Sequence, residues 1–165
     1  MLIQQKQAIF PLVNAGESAT GNVELNSVNM ANYDHAAFFI HFGSTAIATG
    51  TSLVVTMESA TSDAGDTADV TFHYSLNSAS SAALSSAMTY SADATSSALT
   101  LSSAGDYAGH VLIVQVDGDE LRSTSLGKVY NWLQVDIDNV TAGVMDAWAI
   151  LSNPRYAAAS MPIAV

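Results

Sequence analysis

The chain has 165 residues, a length typical of one domain that buries its core without disulfides or bound metals. With 15 acidic and 4 basic residues its net charge is -11, which disfavours direct binding to nucleic acid and to anionic membranes. The absence of cysteine excludes disulfides, thiolate nucleophiles and cysteine-ligated zinc. No run approaches the roughly 18 apolar residues of a membrane span, and the N-terminus lacks a signal-peptide core. We therefore expect synthesis in the cytoplasm of the producing cell, with either retention there or release only by lysis.

The predicted elements are β-strands, because short runs rich in β-branched and aromatic residues are bounded by Gly, Asn, Asp and Ser. In chain order we expect strands at 7–13, 23–30, 36–42, 52–59, 70–76, 97–101, 110–117, 131–137 and 144–151. Turns should separate them, including one at the sequence NVTAG, 139–143. This spacing predicts an all-β chain in which residues 1–165 form a single antiparallel β-sandwich of about eight to ten strands.

Three segments carry further predictions. Strands 36–42 and 110–117 are almost continuously apolar, which predicts central strands covered on both faces. Strand 131–137 alternates, so Leu133, Val135 and Ile137 should share one face. The Ser- and Ala-rich stretch 75–104 is either a flexible linker or an ordered excursion with a short helix around 82–88.

The sequence carries no strong catalytic pattern. It has no G-x-S-x-G elbow, and no spacing places a serine beside a histidine. Histidines at strand ends are more often packed or hydrogen-bonded than catalytic, and these four lack the H-x-H or H-x-x-x-H spacing of metal ligands. They are His35, His41, His73 and His110. We therefore predict no enzymatic activity and no cofactor.

Acidic loops are the weak candidates for a metal site. Calcium takes about six to eight oxygen ligands, and two loops with a central glycine each bring carboxylates together. The candidates are Asp63, Asp66, Asp69, Asp117 and Asp119. Neither loop has the full EF-hand pattern, and acidic residues also serve turn geometry, so we predict no metal site. Asp136 and Asp138 share a strand face, where solvation is a more frequent role than that of a glycosidase pair.

The aromatic residues have two interpretations. Most lie inside predicted strands, where the core accounts for them, as for Phe39 and Trp148. Five tyrosines remain free to face outward: Tyr33, Tyr90, Tyr107, Tyr130 and Tyr156. Exposed rings that stack on sugars would suit a glycan-binding module.

The last third of the chain resembles a known family. Residues 110–121 are a strand running into VDGDEL, residues 130–138 hold an aromatic and alternating valines, and residues 144–156 run into NPRY. This order, together with the opening QQKQAIFPLVNA at 4–15, is similar to that of small virion structural proteins of tailed bacteriophages, the head decoration or capsid accessory proteins.

The resemblance implies a non-enzymatic protein that decorates and stabilises the outer surface of a capsid. It also implies a jelly-roll sandwich, a homotrimer, the phage major capsid protein as partner, and synthesis in the host cytoplasm. The low charge density agrees, because contacts between copies avoid burying unpaired charge. The negative net charge keeps such a protein off packaged DNA. The alternative function is a receptor- or glycan-binding virion module, such as a fibre or spike head.

The C-terminus supplies the predicted contact residues. Pro154 lacks an N–H and should end the last strand. Arg155 should pair with a carboxylate, either within the chain or across a subunit boundary. We expect arms at 1–6 and 157–165. The second is either a frayed end or, as we favour, a docking arm that lies on another copy or on the shell. The predicted interface residues are Pro154, Arg155, Tyr156, Met161, Pro162 and Ile163.

Overall fold

The computed structural model describes residues 7–13, 18–43, 52–62, 67–77, 91–102, 107–123 and 128–155. All regular structure in these ranges is β-strand. The described residues contain no helix that is long and apolar enough to cross a membrane. The strands, in chain order, are β1 (Ala8–Pro11), β2 (Ser18–Glu24), β3 (Val28–Asn29), β4 (Tyr33–Phe42), β5 (Leu53–Ala60), β6 (Thr67–Asp69), β7 (Phe72–Leu76), β8 (Ala94–Ser96), β9 (Ala98–Leu101), β10 (Val111–Asp117), β11 (Arg122–Ser123), β12 (Lys128–Val129) and β13 (Trp132–Pro154).

Two antiparallel six-stranded sheets pack together as a β-sandwich, which confirms the predicted fold class. Sheet I has the order β1–β13–β4–β10–β7–β8. In sheet II, β2 and β3 lie on one side of β13, and β5 lies on the other side. Strands β6 and β9 both pair with the edge of β5 that is opposite β13. Strands β11 and β12 form a separate pair. The jelly-roll connectivity stays a prediction.

Strand β13 is 23 residues long and belongs to both sheets. The predicted turn at 139–143 is therefore wrong, because the chain continues through it as a strand. The pairing with β2 shifts between Ile137 and Val140 and again between Val140 and Gly143. Such bulges bend a strand, so one strand can pass from one sheet to the other. Val140 is buried and still pairs with β2, so tertiary packing overrides the local turn composition.

The N-terminal strands β1, β2 and β3 all run antiparallel to β13. Ala8 lies opposite Leu151, and Val28 lies opposite Leu133. On the other side of β13, β4 pairs with its second half and β5 with its first half. At the change of sheet, Gly43 donates its N–H to the Val144 carbonyl at 2.7 Å, and a Cβ on Gly43 would lie 2.5 Å from that oxygen. Only glycine fits this backbone approach.

The core lies between the two sheets and follows the alternation of the strands. Leu133, Val135 and Ile137 are buried, as predicted. The inward residues of the two central strands of sheet I are also buried; they include Phe38, Ile40, Phe42, Leu112, Val114 and Val116. The prediction that strands 36–42 and 110–117 are covered on both faces is wrong, because Phe39 and Ile113 lie on the outer face and are partly exposed.

The described part of the Ser- and Ala-rich stretch is ordered. Strand β8 pairs with β7 in sheet I, and β9 pairs with β5 in sheet II, so residues 94–101 connect the two sheets. A flexible linker would make no such pairs. The predicted helix at 82–88 and the predicted arms at 1–6 and 157–165 lie outside the described residues.

Candidate functional site

The outer face of sheet I carries a set of apolar side chains that no other described part of the sandwich covers. It crosses β1, β13, β4 and β10, because the outward residues of neighbouring strands lie opposite one another. We call this set the apolar strip; it consists of Ile9, Pro11, Phe39, Ile113, Trp148 and Ile150. All six side chains are exposed or partly exposed, and Ile9 is 57% exposed. Contiguous exposed apolar surface on a protein marks an interaction site.

A stacked aromatic pair forms the middle of the strip. The rings of Phe39 and Trp148 are 5.8 Å apart between centroids and are inclined by only 5°. Ile113 lies opposite Phe39, and Pro11 lies opposite Trp148, so the pair is flanked by apolar residues on both sides. The prediction that Phe39 and Trp148 belong to the core is wrong. A continuous apolar run has no period, and only the strand register shows which residues face outward.

The three described tyrosines among those expected to face outward are buried or partly buried. Tyr130 is completely buried, and Tyr33 and Tyr107 pack against the core. Tyr90 and Tyr156 lie outside the described residues. The prediction that Tyr130 faces outward is therefore wrong, and a glycan site that uses the other tyrosines stays a prediction.

Polar groups border the strip at one end. His41 lies opposite Asp146, and the His41 Nδ1 is 3.9 Å from Asp146 Oδ2. On the other side of His41, its cross-strand neighbour on β10 is the apolar residue Val111. An apolar centre with a polar rim is the usual anatomy of a protein interface.

Arg155 pairs with a carboxylate within the chain, which is one of the two predicted arrangements. Strand β13 ends at Pro154, as predicted, and the next residue donates from Arg155 Nε to Asp34 Oδ1 at 2.6 Å. The Asp34 carbonyl accepts the Gly118 N–H at 2.7 Å. A Cβ on Gly118 would lie 2.6 Å from the second terminal nitrogen of Arg155, so the pair closes over a glycine. The other predicted interface residues, Tyr156, Met161, Pro162 and Ile163, lie outside the described residues.

A polar pocket of about 380 Å³ lies beside the apolar strip on sheet I. Its floor comes from β4, β10 and β7, and the segment before β8 forms its wall. The lining residues are His35, His73, Ser75, Ser91, Asp93, Gln115, Val116 and Asp117. The wall is held against β7 by two hydrogen bonds, since Ser91 N donates to the Leu76 carbonyl at 2.8 Å and Leu76 N donates to Ser91 Oγ at 2.9 Å. We call this cavity the polar pocket.

Two imidazole–carboxylate pairs line the polar pocket. His35 Nδ1 is 2.8 Å from Asp117 Oδ1, and His73 Nδ1 is 2.7 Å from Asp93 Oδ2. The hydrogen bond to Asp93 raises the pKa of His73 above its ordinary value of 6.5, and nearby carboxylate charges add to that rise while desolvation opposes it. His73 Nε2 lies 3.6 Å from Glu120 Oε1, so a second carboxylate faces the nitrogen that would serve as a base in a Ser-His-Asp triad.

His110 and the second acidic loop, with Asp117 and Glu120, make structural contacts. His110 Nδ1 lies 3.2 Å from the Asn77 carbonyl oxygen, so it is hydrogen-bonded at a strand end as expected. In the second acidic loop, Glu120 Oε2 accepts the Asp117 N–H at 2.9 Å, which is a turn contact. Within the described ranges no three His, Asp or Glu side chains are grouped to hold a metal ion. Of the calcium candidates, Asp63 and Asp66 lie outside those ranges.

The outer face of sheet II is acidic. Asp136 lies opposite Glu24, and its Oδ1 is buried without a hydrogen-bond partner among the described residues. The pKa of Asp136 is raised from the ordinary 3.8 to about 6, and burial is the largest cause. The negative charges of Glu58, Glu24 and Asp138 raise it further. The outer face of sheet II is therefore acidic, whereas that of sheet I carries the apolar strip beside the polar pocket.

Comparisons with known proteins leave the family open. No protein-family model matches the chain, and no curated protein matches it. Among solved structures, the chain is similar to the SPBc2 prophage-derived protein YomS, with 12% identity and a TM-score of 0.44 over 88% of this chain and 91% of that one. A Desmodium yellow mottle tymovirus structure gives 16% identity and a TM-score of 0.38 over 94% and 89%. The infectious bursal disease virus VP2 subviral particle gives 15% identity and a TM-score of 0.29 over 91% of this chain and 42% of that one. Similarities this low carry no argument about family or function.

Proposed function

We propose that this chain is a non-enzymatic virion structural protein that decorates and stabilises the outside of a tailed-phage capsid. The observation that carries the proposal is the apolar strip on sheet I. A monomer would leave this surface in water, whereas covering it gains about 25 cal/mol for each Å² of apolar area. The likeness of the C-terminal third to head decoration proteins supports the same function.

The distribution of charge supports one orientation for this protein. The strip itself contains no ionisable side chain, so a contact through it buries no unpaired charge. The acidic outer face of sheet II carries Glu24, Glu58, Asp136 and Asp138, and it would repel the same face of another copy. Sheet I therefore faces the shell or a neighbouring copy, and sheet II faces solvent.

The partners that follow from this proposal are further copies of the chain and the phage major capsid protein. A homotrimer, made in the host cytoplasm and added to the outer capsid surface, satisfies both contacts. The centre of the contact is the Phe39–Trp148 pair, because interface binding energy concentrates in large aromatic residues near the middle of the patch.

Co-sedimentation with purified capsids of the phage that encodes the chain tests the proposal. The variant is Trp148→Thr, which removes the large ring from the strip and keeps a residue that favours strands. The matched control is Trp132→Thr, on the same strand but on the outer face of sheet II. Far-UV circular dichroism checks that both variants keep the sheet structure.

We expect wild type and Trp132→Thr to sediment with the capsids, and Trp148→Thr to bind at least about tenfold more weakly. A wild-type chain that stays in the supernatant contradicts the proposal. Equal losses in the two variants contradict the placement of the contact on sheet I.

A further inference from the structure

The polar pocket has a chemical character that assembly through the strip does not use. Its floor has Gln115 at the centre, with Ala37 opposite on β4 and His73 opposite on β7. Ser75 lies on the next row of β7, opposite Ile113 of the apolar strip. The pocket thus opens beside an apolar surface on one side and is polar elsewhere.

Charge excludes two classes of ligand from this pocket. No lysine or arginine is among the lining residues that the structure describes, and Asp93 and Asp117 are, so an anionic ligand would be repelled. A cation finds these carboxylates already paired, since each accepts a hydrogen bond from an imidazole, His73 and His35 respectively, at 2.7 and 2.8 Å. A purely apolar ligand finds little apolar surface, because Val116, the one apolar residue of the described lining, has its side chain buried in the core.

The hydrogen-bonding groups favour a ligand that both donates and accepts at several points. Because an ionised carboxylate only accepts, each Nδ1 carries the proton of its pair, and each carboxylate keeps a second oxygen as an acceptor. The amide of Gln115 and the hydroxyl of Ser75 each offer a donor and an acceptor. Sugar hydroxyls have this dual character, and a cavity of about 380 Å³ is within the range of small-molecule sites.

We propose that the polar pocket binds a neutral saccharide. The hydroxyl groups contact Gln115, Ser75 and the two imidazole–carboxylate pairs, and the C–H face of the sugar packs toward Ile113 at the edge of the apolar strip. This gives the chain a glycan-binding site that does not depend on tyrosine side chains. It is separate from the centre of the contact proposed above, since neither Phe39 nor Trp148 is among the residues that line the pocket.

Saturation-transfer NMR on the full chain tests this site. The probes are glucose, galactose, mannose, N-acetylglucosamine and lactose, with glucosamine as a cationic comparator and inorganic phosphate as an anionic one. The variants are Gln115→Leu, which removes the central amide at similar volume, and the milder Ser75→Ala. Thr100→Ala, an exposed change on β9 of sheet II, is the matched control.

We expect at least one neutral sugar to bind with a Kd of about 1 mM or tighter. Gln115→Leu and Ser75→Ala should each weaken binding, the former at least about tenfold, and Thr100→Ala should leave it unchanged. The inference is overturned if no neutral sugar binds, if both pocket variants bind as wild type does, or if only glucosamine or phosphate binds. Trp148→Thr should retain sugar binding, so failure of the capsid contact and failure of this site are distinguishable.

Discussion

Asp136→Asn should stabilise the fold, and by an amount that depends on pH. The folded chain holds the Asp136 carboxyl half-buried among Glu24, Glu58 and Asp138, so its pKa is about 6 instead of 3.8. At 1.36 kcal/mol for each pKa unit, the ionised carboxylate costs about 3 kcal/mol relative to the unfolded chain. Because the side chain is partly exposed, solvent screening reduces this to ~1–2 kcal/mol.

The sign follows from proton binding. Between pH of about 4 and 6 the folded state holds more protons at Asp136 than the unfolded state, so the free energy of unfolding falls as pH rises through this window. The full cost is present above pH of about 6. An asparagine carries no charge, so its advantage over wild type should be ~1–2 kcal/mol at about pH 8 and about half as large at about pH 5.

Urea unfolding followed by tryptophan fluorescence at those two pH values measures the difference, which corresponds to roughly 2–8 °C in Tm. Asp138→Asn is the control, since it removes one carboxylate from the same strand face without touching the buried Oδ1 of Asp136. It should give a smaller gain. The reasoning is refuted if Asp136→Asn gives no gain at about pH 8, or if the gain does not decline toward about pH 5.

Two further predictions concern the other charged groups. Gly118→Ala and Arg155→Ala should each lower the free energy of unfolding by ~1 kcal/mol or less. The double variant should lose no more than the larger single loss, because the added methyl already displaces the guanidinium; additive losses in thermal unfolding would contradict this. Asp93→Asn should lower the pKa of His73 toward 6.5, as followed by NMR of the imidazole; an unchanged titration would show that Asp93 does not hold it. In wild type the stabilisation from this pair is present below pH of about 6.5 and is lost as pH rises through the raised pKa of His73.

Much of the sandwich could be predicted from local patterns. The alternation of 131–137 correctly assigned Leu133, Val135 and Ile137 to the core, because a period of two is direct information about the two faces of a strand. Arg155 was identifiable as a paired residue from the scarcity of cations. Its partner Asp34 was not, since the two are 121 residues apart and only the β4–β13 register brings them together.

The candidate sites depended on information that the sequence does not carry locally. Phe39 and Trp148 sit in apolar runs without a period, so nothing in the runs shows that these rings point outward. The polar pocket needs Gln115 opposite His73, together with the wall that holds Asp93, and both depend on long-range pairing. Three of the four histidines lie beside an aspartate in the structure, but the sequence does not show these pairs until the strands are aligned.

In the function proposed above, the chain binds a capsid surface through sheet I. Cryo-electron microscopy of purified particles of the phage that encodes it, at a resolution that shows strands, is the most direct measurement. We expect density for the sandwich on the outer capsid surface, with Phe39 and Trp148 covered by the shell or by another copy and the acidic face of sheet II in solvent. Particles without this density, or with sheet II against the shell and Trp148 exposed, would contradict it.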